Sequence, residues 1–109
     1  MTDIDILYKR LRYIALQSPV RSPKVLGFTR DQPCCVCGQP PPNDPHHLFG
    51  SAMSLKSSDI FTVPLCRKCH THYESNPKLS HELIEALVVN MNKAIIKLLE
   101  EVTSDLMRV

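Results

Sequence analysis

The sequence predicts a small α+β domain stapled by zinc, in which a β-hairpin and a following helix lie between N- and C-terminal helices. Three observations predict it. All five cysteines fall within residues 34–69 of a 109-residue chain. Helical periodicity is confined to the two ends, and the proline-rich, β-branched centre has room only for short strands. The length suits one domain, residues 1–109. Three parts are expected within it: a basic helical arm (1–30), a zinc-bound core (31–77) and a C-terminal amphipathic helix (78–109).

In the arm, Ile4, Leu7, Tyr8, Leu11, Ile14 and Ala15 recur at three- and four-residue spacing, predicting a helix over 4–17. Ser22 is placed to cap a short helix over 23–30, with Pro23 at its first position. In the core, Pro40-Pro41-Pro42-Asn43-Asp44-Pro45 is a stiff turn. His46–Phe49 reads as a short strand, Asp59–Val63 as a second, and a helix begins near Cys66. Asn76-Pro77, with Ser80 as rival cap, opens the last helix. There Val88, Met91, Ile95, Leu98 and Val102 alternate by threes and fours, and Leu83, Leu87, Leu99 and Leu106 widen the stripe. Such a stripe packs on its own domain or pairs in a homodimer.

Composition narrows the functional classes. With 43% apolar and 22% charged residues the chain is globular, and no apolar run is long enough for a membrane span. The acidic start, Met1-Thr2-Asp3-Ile4-Asp5, is not a secretory signal, so the expected compartment is reducing cytoplasm. Five cysteines there read as metal ligands before disulfides. The net charge of +2 is unevenly spread: residues 1–30 hold six basic residues against two acidic, and the remainder is slightly acidic. That distribution fits a phosphate-binding arm, with a solvated helix face as the alternative. Arg10, Arg12, Arg21, Lys24 and Arg30, with Lys56, Arg67 and Lys68, are the candidate phosphate contacts.

Cys34/Cys37 and Cys66/Cys69 form two C-x-x-C pairs separated by 28 residues. Four thiolates in tetrahedral array select Zn²⁺, and such a closed site is structural. Gly38 follows the first pair, where a left-handed backbone is wanted. Cys35 is spare. Between the pairs, His46 and His47 are adjacent on a strand and so point to opposite sides. His70 and Glu74, four apart, share a helix face, as two ligands of one cation should; His72 lies about 200° round.

Cys34-x-x-Cys37, then Asp44-Pro45-His46-His47-Leu48, then Pro64-Leu65-Cys66-Arg67-Lys68-Cys69-His70 resembles the HNH endonucleases. The likeness is to the small phage and prophage branch that includes the recombination-enhancement (Ref-type) nucleases, and it covers residues 22–75. That branch shows a D-x-HH-L stretch, a loop, a D-x-F/W-T-x-PLC stretch and a CH pair on a helix. The resemblance implies a ββα-metal (HNH, or His-Me finger) core and hydrolysis of DNA in a bacterial or phage-infected host cell. It implies His47 as general base, and His46 and His70 as ligands of a catalytic cation, Mg²⁺ or Mn²⁺, with Zn²⁺ or Ni²⁺ also admitted by the histidines. Two departures stand out. The middle Asn has no clear counterpart, Asp59 or Phe61 standing near its place, and Glu74 replaces a histidine common in relatives. Asp59 is left to orient His47 or to anchor the loop. A catalytically inactive zinc-stabilised nucleic-acid-binding module is the rival reading, and a protein adaptor working through the last helix a third.

Overall fold

Pro45 and Pro64 lack amide protons, so they can face each other only where an antiparallel ladder needs no N–H. That is where the chain places them. Strand β1 (Asp44–His47) pairs antiparallel with β2 (Thr62–Leu65), matching Asp44 with Leu65, Pro45 with Pro64, His46 with Val63 and His47 with Thr62. Just past the ladder the Leu48 N–H donates to the Phe61 carbonyl at 3.1 Å, so the pairing continues by one further bond. The computed structural model describes residues 2–17, 20–49 and 58–107.

Around this hairpin run α1 (Asp3–Gln17), α2 (Pro23–Arg30), α3 (Arg67–Ser75), a 3-10 segment (Pro77–Leu83) and α4 (Ile84–Met107). The result is a small α+β unit of four α-helices and a two-stranded sheet among the described residues. None of these helices is long and apolar enough to cross a membrane. Ser22 caps α2 as the sequence predicts, its side chain accepting from the Val25 N–H with Pro23 at the first position.

The two sheet faces carry different partners. Asp44 and His46 look toward α3, where His70 meets both. Thr62 looks toward α2 and α4 through a buried hydrogen-bond chain whose direction can be deduced. The Thr62 hydroxyl donates to the Asp59 carbonyl (2.9 Å). Its contact with the Thr29 hydroxyl at 3.2 Å must therefore be donated by Thr29. Thr29 in turn accepts from the Asn90 amide (3.1 Å), which also reaches the Thr62 carbonyl (2.9 Å). Asn90→Ala should cost about 1–3 kcal/mol, because it orphans the buried Thr62 carbonyl and takes one donor from the Thr29 hydroxyl. A lower urea midpoint at unchanged slope would show it.

The apolar core gathers Leu48, Phe49, Phe61, Val63, Leu65 and Leu87 under the helices. Helix α1 rests on it through Tyr8, whose ring meets Phe49 edge-on at 5.1 Å and stacks on His81 at 4.0 Å.

Several sequence expectations need correction. The first strand is Asp44–His47 and not 46–49, because the chain turns at Leu48 and Phe49, although both stay buried. The second is Thr62–Leu65 and not 59–63: Asp59 and Ile60 form a turn, since the Asp59 carboxylate is drawn to Ser22 and His47. The last α-helix starts at Ile84, after the 3-10 segment that Asn76-Pro77 opens. The Asn76 amide donates to the His72 carbonyl at 2.8 Å, so its side chain closes α3 and does not cap the 3-10 segment. In α1 only Tyr8 and Leu11 of the expected stripe pack on the core, while Ile4, Leu7 and Ile14 are exposed. The side chains of Ala15 and Ser80 lie outside the described residues.

Candidate functional site

The two C-x-x-C pairs meet. The four Sγ atoms of Cys34, Cys37, Cys66 and Cys69 all lie within 4.8 Å of one another, with Cys37 and Cys66 3.6 Å apart. Tetrahedral zinc at its usual bond length needs sulfurs about 3.8 Å apart. Gly38 takes φ +78°, and its N–H bonds the Cys34 carbonyl at 2.9 Å, closing the knuckle in the left-handed turn expected of it. Burial works against a Cys34 thiolate, but backbone N–H groups of Cys37, Cys66 and Val36 outweigh it and bring the thiol down to about 6. Desolvation and the neighbouring sulfurs push Cys69 up to about 12. Without a cation the cluster accommodates one thiolate but not four; a divalent ion removes that conflict, and the donor set fits structural zinc. Cys35 stands outside the tetrad, its N–H bonded to the Pro64 carbonyl at 2.9 Å.

A second cluster joins hairpin and helix. Donor atoms of His46 on β1 and of His70 and Glu74 on α3 lie within 4.8 Å of one another. The His46 and His70 rings sit 5.1 Å apart at 75°. Burial, and then the proximity of His70, lower His46 to about 4, which keeps its imidazole neutral with a lone pair to offer. His70 is more telling. Its Nδ1 lies 2.9 Å from Asp44 Oδ2 and its Nε2 3.1 Å from Glu74 Oε1. A neutral imidazole has one proton, so it can satisfy only one of the two carboxylates. With Nδ1–H committed to Asp44, a cation or a second proton must lie between Nε2 and Glu74. A carboxylate behind a histidine is how metal-binding imidazoles are usually oriented. Two imidazoles and one carboxylate therefore fit a divalent cation.

On the opposite side of β1, His47 Nε2 lies 2.8 Å from Asp59 Oδ1. Asp59 is 3% exposed and also accepts the Ser22 N–H at 2.8 Å, with Arg21 Nη1 at 3.4 Å. Burial would raise its carboxyl, but the bonds from His47 and Ser22 and the Arg21 charge hold it below the ordinary value. An ionised carboxylate only accepts, so Nε2–H of His47 donates to it, and in the neutral imidazole the lone pair is then on Nδ1. The His47 side chain keeps 15% of its surface open, enough to be reached from solvent. Asp59 thus does both things left open for it: it orients His47 and anchors the turn to α2.

With that geometry in view, similarity to other proteins can be placed. The family model described as "Protein of unknown function (DUF968)" matches residues 16–106, most of the chain. The chain belongs to the DUF968 family. It is also similar to "Uncharacterized protein YdfU" of Escherichia coli (strain K12), 41% identical over 56 residues. That stretch is 49% of this chain and 16% of YdfU, so the DUF968 chain spans only a small part of that relative's length. No solved structure matches it.

In this DUF968 chain the basic residues are dispersed. Arg10, Arg12, Arg30 and Lys68 are exposed. Arg21 faces Asp59, Lys24 pairs with Glu101 of α4 at 3.2 Å, and Arg67 lies 3.4 Å from Asp44. Lys56 lies outside the described residues. His72 is exposed on α3 against Tyr73, away from the cation cluster, and Phe61 is core. Asp44 is the residue whose part sequence reasoning missed. Its position two before His46 was the available signal, since alternate residues share a strand face.

Proposed function

We propose that this chain is a metal-dependent DNA endonuclease of the HNH type, with His47 as general base and His46, His70 and Glu74 holding one divalent cation. One observation carries the reading: the adjacent histidines are divided, His46 into a three-donor cluster and His47 onto a buried carboxylate 2.8 Å away. Phosphodiester hydrolysis needs those two separate parts. His47 Nδ1 takes a proton from the attacking water, and the imidazolium that results is held by Asp59. Asp44 turns His70 toward the cation position, and Arg67 beside it offers positive charge to a phosphate. When bound, the cation supplies charge stabilisation at the phosphoryl group and the leaving oxygen. The two imidazoles suit Ni²⁺ or Zn²⁺, and the Glu74 carboxylate admits Mg²⁺ or Mn²⁺, which prefer oxygen donors.

The test is cleavage of plasmid and single-stranded DNA by the zinc-loaded chain across a panel of Mg²⁺, Mn²⁺, Ni²⁺ and Zn²⁺. Cutting that needs one of them and stops with chelator supports the enzyme. DNA binding without cutting in any of them leaves the inactive binding module.

Arg10, Arg12 and Lys68 are exposed and available to phosphates. Neutralising all three should weaken DNA binding and lower the log–log salt slope by about 0.9 for each duplex phosphate they neutralise. Titrations at several salt concentrations measure it, and an unchanged slope makes these residues a solvated face.

A further inference from the structure

Helix α4 carries two apolar stripes, and its own domain covers one. Ile84, Leu87, Met91, Ala94 and Leu98 turn toward the body of the protein. The stripe expected from Val88 through Met91, Ile95 and Leu98 to Val102 is therefore split between two faces. Val88, Asn92, Ile95, Leu99, Val102 and Leu106 form a separate row, spaced by fours and threes, roughly 80° round the axis. Asn92 in this row is exposed, and its five apolar members are 38–69% exposed. The row runs about 27 Å along the helix. Val89 and Ile96, also exposed, widen it, and beside it Ile96, Leu99, Thr103 and Met107 line a shallow groove of about 680 Å³.

We propose that this row is the interface of a homodimer, in which α4 packs antiparallel against α4 of a second copy of the chain. The row is self-complementary in that sense. Reversed and centred between Ile95 and Leu99, it sets Ile95 opposite Leu99 and Val88 opposite Leu106, each twice by two-fold symmetry. Asn92 falls opposite Val102, beside Thr103.

Charge chooses the direction. On the flank next to Val89 and Ile96, the antiparallel register brings Lys93 of each copy to within one residue, about 1.5 Å along the axis, of the level of Glu100 of the other. A parallel two-fold pair would put the two Lys93/Glu100 flanks on opposite sides of the interface, so neither charge would meet its opposite there. Shape agrees. The molecule measures 48 × 31 × 28 Å, and buried positions on α4 end at Ala94. Beyond Glu101, which Lys24 still holds to α2, the overhanging last turns (102–107) can therefore lie along residues 87–92 of the other helix, with the two domain bodies at opposite ends. Opposed helix dipoles also favour this direction.

Sedimentation equilibrium of the full chain tests the proposal. The wild type should be a dimer in the micromolar range. Leu99→Lys, an exposed change, should yield a monomer that keeps its metal content and its cooperative thermal unfolding. Lys93→Glu or Glu100→Lys alone should weaken the dimer about tenfold, and the double reversal should restore it. A wild type that stays monomeric, or a dimer indifferent to Leu99→Lys, overturns the proposal. Loss of the dimer in Leu99→Lys with no effect of either charge reversal overturns the antiparallel pairing.

Discussion

Cys66→Ser should leave a chain that neither retains zinc nor unfolds cooperatively. Cys66 is the N-cap of α3 and lies 3.6 Å from Cys37, so it joins the helix to the knuckle at 34–37. The two-stranded sheet is too small to hold that junction alone: a hairpin is marginal in water, and α3 has only nine residues. With zinc bound, four thiolates tie together segments 28 residues apart in sequence. Zinc binding of this kind contributes on the order of 10 kcal/mol, comparable with the whole stability of a small domain. The wild type should therefore contain one tightly held zinc after dialysis and show a sharp thermal transition. The Ser variant, and wild type treated with a strong chelator, should lose both. A folded protein with no metal, its cysteines paired as disulfides, contradicts the site.

Much of this arrangement was legible in the residues, for reasons that differ from element to element. The cysteine pairs were readable because a C-x-x-C knuckle is local: two residues and a glycine with positive φ set its geometry without help from the rest of the chain. The divided histidines were readable because a strand alternates its faces whatever its exact ends, so moving β1 from 46–49 to 44–47 did not disturb them. Strand ends were harder. Asp59 looks like the start of a strand until Ser22, 37 residues away, is seen to donate to it. Pro64 looks like a strand breaker until Pro45 is found opposite it. Both depend on partners distant in sequence. The two stripes of α4 merged in the sequence for the same reason: periodicity locates apolar residues round a helix but not which of them the domain covers. Asp44 was passed over because an acidic residue beside prolines reads as a turn former, and its partner His70 lies 26 positions on.

Replacing the two histidines one at a time should separate chemistry from cation binding. His47→Ala removes the imidazole that Asp59 holds but none of the thiolates and none of the three donors around His70. Zinc content, melting behaviour and DNA affinity should survive, while cleavage falls by about two orders of magnitude or more. Added cation should not recover it, because metal cannot replace a missing proton acceptor. His46→Ala deletes a cation donor instead, so its deficit should shrink as the divalent ion is raised. Asp59→Asn completes the set. It keeps the shape but presents an amide that can donate as well as accept, so the His47 proton is no longer confined to Nε2 and Nδ1 loses its guaranteed lone pair. Wild-type Asp59 is held below the ordinary carboxylate value, so it stays ionised across about pH 5 to 8 and adds no step of its own to the pH profile. The Asn variant should accordingly be slower at every pH in that range, with metal dependence unchanged. Relief by metal in His47→Ala but not in His46→Ala would exchange the two roles. Full cleavage in all three variants, and in His70→Ala with them, would remove the active site from this part of the molecule.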